Sequence, residues 1–182
     1  LDGKRLLKGF KWGLIPRWAK NSKVGYSMIN ARAETLQTKP AFRSLIDSKR
    51  VVIPSSGYYE WRKEQGEKQP YLFQVKSDQI MGFAGLYDTW KNPEGEIIWS
   101  TTIITTTPND MAEEIHDRMP VILNPSGVDV WLDAGTTDKD ILQSLLTPYS
   151  TDKMKFFPVS KAVNYVKNQE SDLIKEVAIN SK

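Results

Sequence analysis

The chain contains no cysteine and a single histidine, His116. Without cysteine there is no disulfide, no thiolate metal ligand and no cysteine nucleophile within these 182 residues. With one histidine, a zinc ion would need carboxylate or water ligands at its other three positions, an uncommon site, so no metal and no cofactor is expected. No run approaches the roughly 18 consecutive apolar residues of a membrane span, and the opening LDGKRLLKGF has neither a signal core nor a cleavage site. A soluble chain with no membrane partner is expected. Also missing are the phosphate loop G-x-x-x-x-G-K-[ST], a G-x-G-x-x-G turn and a G-x-S-x-G elbow, which removes the best support for nucleotide-dependent enzymes and α/β-hydrolases.

What is present fits one ordinary domain: 40% hydrophobic residues, 25 basic against 22 acidic side chains and a net charge of +3. This mild basicity permits a polyanionic partner without demanding one. Gly, Pro and Asn cut the chain into short apolar runs. Strands are predicted over 5–14, ended by Pro16, and over 26–32, 50–61, 70–75 and 80–90, with the polar connections KEQGEKQ and KSDQ between the last three. The β-branched run IIWSTTIITTT should pair with 80–90. Helices are predicted over 40–48, from Asn109, from Asn124 and Pro125 to Leu132, and over 138–146, with brief strands at 121–123 and 155–160. No repeat or linker interrupts this order. The prediction is a single α+β domain over 1–182, mainly an antiparallel, barrel-like β-sheet with a few short peripheral helices. Because Phe10, Trp12 and Leu14 read as a strand already under way at a chain that starts with Leu1, a segment is expected to precede it.

Three segments carry chemistry. In INARAET, Asn30 offers an acceptor and two donors suited to a sugar hydroxyl or aldehyde, and Arg32 points the same way two residues on, so the two could hold a reacting group and its phosphate. The bland alternative is a strand end with a turn-forming Asn and a solvated Arg. In SSGYYEW, Glu60 stands among aromatic residues, where partial desolvation raises a carboxyl toward values useful for proton transfer. An outward-facing acid on an amphipathic strand is the competing reading, and aromatics at the alternating spacing of Tyr59 and Trp61 are more often core residues than stacking faces. In IHDRMP, His116 follows a short helix whose negative end would favour the charged imidazole. A plain helix-terminal histidine beside a local Asp-Arg pair is the competing reading.

In their order and spacing, INARAET, SGYYEW and IHDRMP together resemble the SRAP (SOS response-associated peptidase) family of abasic-site processing proteins. The tail PVSKAVNYVKNQ resembles the family's closing motif, and Trp12 with Pro16-Arg17-Trp18 its early tryptophan-containing segment, so the likeness covers nearly the whole chain. By this resemblance Asn30, Glu60 and His116 are active-site residues, Arg32 and Arg118 grip DNA phosphates, and Trp18 and Trp61 shape the DNA cleft. The resemblance further implies a partner, single-stranded DNA with abasic sites, and a covalent chemistry. In the family a cysteine after the initiator methionine, exposed by self-processing, closes a thiazolidine with the sugar aldehyde. That cysteine is absent here, so the chain as written would bind DNA without forming the thiazolidine. A cytoplasmic monomer, nucleoid-associated when engaged with DNA, is expected. Two other readings compete: a non-catalytic single-stranded DNA-binding module using the same arginines and tryptophans, and a hydrolase built on Ser55 or Ser56 with His116.

Overall fold

Alternating aromatic and β-branched residues favour strands in several runs of this chain, and the computed structural model, which describes residues 5–64, 66–77 and 80–179, is correspondingly sheet-rich. Its strands are β1 (Lys11–Trp12), β2 (Asn30–Arg32), β3 (Arg50–Ser55), β4 (Tyr58–Glu64), β5 (Glu67–Val75), β6 (Met81–Lys91), β7 (Ile97–Thr106), β8 (Met119–Pro120), β9 (Ile122–Leu123) and β10 (Met154–Pro158). Three short α-helices accompany them among the described residues: α1 (Asp110–Glu113), α2 (Pro125–Leu132) and α3 (Lys139–Ser144). Among the described residues no helix is long and apolar enough to cross a membrane.

The α+β class and the dominance of sheet are as predicted, but the sheet does not close into a barrel. Seven strands form one sheet on the path β1-β7-β6-β3, and three form another in the order β10-β5-β4. The run 50–61, read as one strand, is two: β3 pairs antiparallel with β6, whereas β4 pairs with β5 in the other sheet. The chain changes sheets at Gly57, where a Cβ would lie 2.8 Å from Leu72 Cδ1 and 2.9 Å from the Phe73 carbonyl oxygen, so only glycine lets the backbone pass this close. Ser55 locks the corner by donating its hydroxyl to the Gly57 carbonyl at 2.6 Å.

Other predicted elements shift for tertiary reasons. The connection 63–69 is largely strand, since β4 and β5 pair as far as Glu64 opposite Glu67, and Gly66 takes φ +86° between them. Runs 70–75 and 80–90 are not sheet neighbours, because β5 pairs with β10 instead. Gln65 and, in KSDQ, Asp78 and Gln79 lie outside the described residues. Of the run 5–14 only Lys11 and Trp12 join a sheet, parallel to β7, and β2 also runs parallel to β7. Segment 40–48 forms successive turns mixing i+3 and i+4 closures on Lys39, Phe42 and Leu45 rather than a regular helix, while still burying Phe42, Leu45 and Ile46. The β6·β7 pairing and the Asn109 and Asn124 helix caps are as predicted.

Beyond Gly85 and Ile103 the strands β6 and β7 separate, and Val121 fills the gap. Its carbonyl accepts from Ala84 N–H at 2.9 Å and its N–H donates to the Ile104 carbonyl at 2.9 Å. The segment after α1 is thereby inserted into the main sheet. Two apolar clusters result. One gathers Leu14, Leu36, Phe42, Ile46, Leu86 and Trp131 against the main sheet. The other fills the space between the sheets with Phe73, Phe83, Ile115, Met119, Ile122 and Met154.

Arg50 closes one flank. Buried at 8% exposure, its guanidinium donates to the carbonyls of Trp131, Ile46, Asp47, Asp133 and Thr136 at 2.5–3.2 Å. Five acceptors in fixed positions suit a planar fork and not a point charge. Arg50→Met is expected to lower unfolding free energy by about 3–5 kcal/mol by stranding these carbonyls. Arg50→Lys is expected to recover only part of it. Urea denaturation of the three proteins checks both, and a fully wild-type midpoint for the lysine variant would contradict the fork argument.

Candidate active site

The edge of the smaller sheet supplies the carboxylate. Tyr58 and Glu60 lie on the same face of β4 because side chains alternate along a strand. Tyr58 stacks on Phe73 with centroids 4.9 Å apart and meets Phe83 edge-on at 6.1 Å, which anchors β4 on the second cluster. The Tyr58 phenol is pushed up by burial and by the neighbouring Glu60 charge, and its buried hydroxyl has no hydrogen-bond partner among the described residues. Burial likewise pushes the Glu60 carboxyl above the usual range. His116 opposes that shift and Asp117 adds to it.

His116 arrives from the other sheet. Asn109 caps α1 by accepting from Ala112 N–H at 2.9 Å, and the His116 N–H closes on the Ala112 carbonyl at 2.9 Å, so the imidazole leaves the helix end at a fixed angle. Its Nδ1 lies 3.1 Å from the Arg118 N–H and 3.1 Å from Asp117 Oδ1. In the neutral ring Nδ1 accepts from Arg118 and Nε2 carries the proton; in the charged ring Nδ1–H donates to Asp117. The ring therefore has a partner in either protonation state. Glu60, Trp61, Lys68, His116 and Asn164 line one cavity of about 390 Å³.

A second cavity, about 620 Å³, is lined by residues that include Trp18, Asn30, Arg32, Lys39 and Phe42. Asp88, buried in β6, accepts from Arg17 N–H at 2.8 Å, and Trp90 Nε1–H donates to the Ala19 carbonyl at 2.7 Å. The turn at 16–19 is held from below, and Trp18 is left 60% exposed above it. Arg32 is exposed at the end of β2 and makes no ion pair among the described residues. Arg118 differs. Its terminal nitrogens bind Glu34 in a two-pronged pair at 2.8 and 3.0 Å, and Nη2 also donates to the Thr105 carbonyl at 2.7 Å. The Arg118 hydrogen bonds hold the Glu34 carboxyl below its usual range.

Of the sequence-predicted residues, the structure thus brings Glu60, Trp61 and His116 to one cavity and Trp18, Asn30 and Arg32 to the other. Arg118 joins the two segments through Glu34. Neither Ser55 nor Ser56 is among the residues lining the His116 cavity, and the Ser55 hydroxyl is bonded to Gly57. Lys68, Asn164, Lys39 and Glu34 were not singled out from the sequence. One signal was legible: residues 5–46 hold nine Lys or Arg and one acid, Glu34.

The family described as SOS response associated peptidase (SRAP) matches residues 2–166. The chain belongs to the SRAP family. Among SRAP-related proteins, "Abasic site processing protein YoqW" of Bacillus subtilis is 51% identical over 165 residues, spanning 90% of this chain and 74% of that protein. "Abasic site processing protein HMCES" of Xenopus tropicalis is 32% identical, across all of this chain and 60% of that one. A crystal structure of a Bacteroides thetaiotaomicron protein superposes with a TM-score of 0.88 at 35% identity, covering 93% of this chain and 76% of the other.

The raised Glu60 carboxyl sets a pH dependence. Below the ordinary carboxyl range, roughly pH 4, the group is protonated in folded and unfolded chains alike. As pH rises, the unfolded chain ionises first, so the folded state loses stability relative to it. Glu60→Gln removes that loss. In thermal denaturation the variant is expected to match wild type near pH 3.5 and to be the more stable at pH 7; a difference independent of pH would remove the desolvated carboxyl from the account.

Proposed function

We propose that this SRAP protein processes abasic sites in single-stranded DNA by forming a covalent link to the sugar, and that its full-length form releases its own initiator methionine. The observation that carries the reading is the cavity in which a desolvated Glu60 faces His116, within a chain whose relatives are named abasic site processing proteins. The reacting cysteine of this reading lies ahead of Leu1, since the 182 residues contain none. Residues 1–182 then form the body of a single SRAP domain.

The chemistry assigns a task to each group. The α-amine of the cysteine attacks the C1′ aldehyde to give a carbinolamine. Loss of water requires a proton on the leaving hydroxyl, which a neutral Glu60 carboxyl supplies. The thiol then adds to the imine carbon and its proton passes to the nitrogen, closing the ring with one water released overall. His116, partnered in both protonation states, moves protons between these steps. Asn30, in the lining of the second cavity, orients the sugar, and Arg32 holds a phosphate beside it. Trp18 offers a face for a base. Arg118 reaches DNA only while also holding Glu34.

The test is incubation of full-length protein with a single strand carrying one abasic site, followed by denaturing electrophoresis. An adduct that survives is expected with abasic strands and not with intact ones. His116→Ala and Glu60→Gln are each expected to slow its formation or reversal by about 10²–10⁴-fold with little loss of binding. Arg32→Ala is expected to weaken abasic and intact strands alike and to flatten the logarithmic salt dependence by about 0.7. Equal binding of both strands with no adduct would favour the non-catalytic binding module.

A further inference from the structure

Asn164 lies in the closing segment PVSKAVNYVKNQ, for which the reading above gives no task. A 3₁₀ turn over Lys161–Asn164 brings it against β4, where Trp61 Nε1–H donates to Asn164 Oδ1 at 2.7 Å. An indole nitrogen can only donate, so this bond fixes the carboxamide orientation. The oxygen faces Trp61, and both Nδ2 hydrogens are turned away from it. Asn164 lines the cavity of Glu60 and His116.

Lys68 lines the same cavity from β5. Its strand partner is Lys63, directly opposite, an arrangement in which like charges repel. The adjacent acid, Glu67, is engaged by Lys161, so its charge is spent elsewhere. Lys68 makes no ion pair among the described residues. Beside the Glu60 carboxyl and the His116 imidazole, the lining of the cavity therefore includes an ammonium and two amide N–H groups, all donors. A base edge mixes donors with acceptors, whereas a phosphodiester is anionic and accepts only.

We propose that Asn164 Nδ2 and Lys68 Nζ form a phosphate subsite, which takes the phosphodiester adjoining the sugar that reacts between Glu60 and His116. Trp61 is a positioning residue for it, acting through Asn164. The inference rests on the functional reading above. It adds that the reacting nucleotide is held from both cavities, by Arg32 on one side and by Lys68 with Asn164 on the other. A phosphate so placed also disfavours an ionised Glu60 and keeps that acid in its proton-donating form.

The test uses full-length protein and single strands with one reduced, unreactive abasic residue, in which each flanking phosphate in turn is replaced by a neutral methylphosphonate. Affinities are read by fluorescence anisotropy. Wild type is expected to lose about tenfold at one phosphate next to the abasic residue. Lys68→Gln and Asn164→Ala are expected to lose about as much on the natural strand and nothing more on that methylphosphonate. Trp61→Phe, which keeps an aromatic ring and drops the donor, is expected to show part of the same coupling. Lys68 is exposed, so its variant reports even where changing Asn164 disturbs the turn. Methylphosphonate penalties in Lys68→Gln that equal those of wild type at every position would overturn the subsite. Failure of the underlying function looks different: no denaturation-resistant adduct with an aldehyde-bearing strand, and no preference for abasic DNA.

Discussion

The guanidinium of Arg118 spans the gap between the segment after α1 and the one that follows β2, and the relative placement of the candidate site residues depends on it. Two parallel bonds to Glu34 and a third to the Thr105 carbonyl fix it in both direction and distance. An exposed single-point ion pair would do little, but here the arginine side chain is 19% exposed and its Nε is buried. Thr105 is the hub: it pairs with Arg32 on one side and Pro120 on the other. Strand β7 thus carries Asn30 and Arg32 along one edge, and the segment bearing His116 along the other, at a register that the clamp enforces.

From that constraint the division of labour follows. The smaller sheet contributes an acid whose burial favours its neutral form, and the main sheet contributes an imidazole served by Asp117 and by a backbone N–H. The second cavity has a different character, larger, with Arg32 and Lys39 in its lining and the exposed indole of Trp18 beside them. One place is suited to proton transfer and the other to a charged strand. Neither requires a strongly basic molecule, which agrees with a net charge of only +3.

Much of this was readable in the sequence where the physics is local. Asn109 and Asn124 announce helix starts because a side-chain oxygen three residues upstream satisfies an orphan N–H. Asn30, Glu60 and His116 stood out through the resemblance of their motifs, and the structure gathers Glu60 and His116 at one cavity and leaves Asn30 at the other. What escaped was non-local. Arg118 and Glu34 are 84 residues apart, and Trp61 and Asn164 are 103 apart. Nothing in the periodicity of 50–61 marks the change of sheet; it is set by how closely Gly57 must approach Leu72 and Phe73. The turns at 40–48 keep the apolar spacing of a helix and bury the same side chains, so the pattern alone could not distinguish them.

The central claim is that the abasic sugar enters the cavity between Glu60 and His116 while the strand runs over the Arg32 face. A structure of the full-length protein trapped on a short single strand with one abasic site tests it directly. The expected result places an oxygen or nitrogen bonded to the sugar C1′ within hydrogen-bonding reach of Glu60 or His116, with a neighbouring phosphate at Arg32. A sugar lodged out of reach of both Glu60 and His116 would contradict the account.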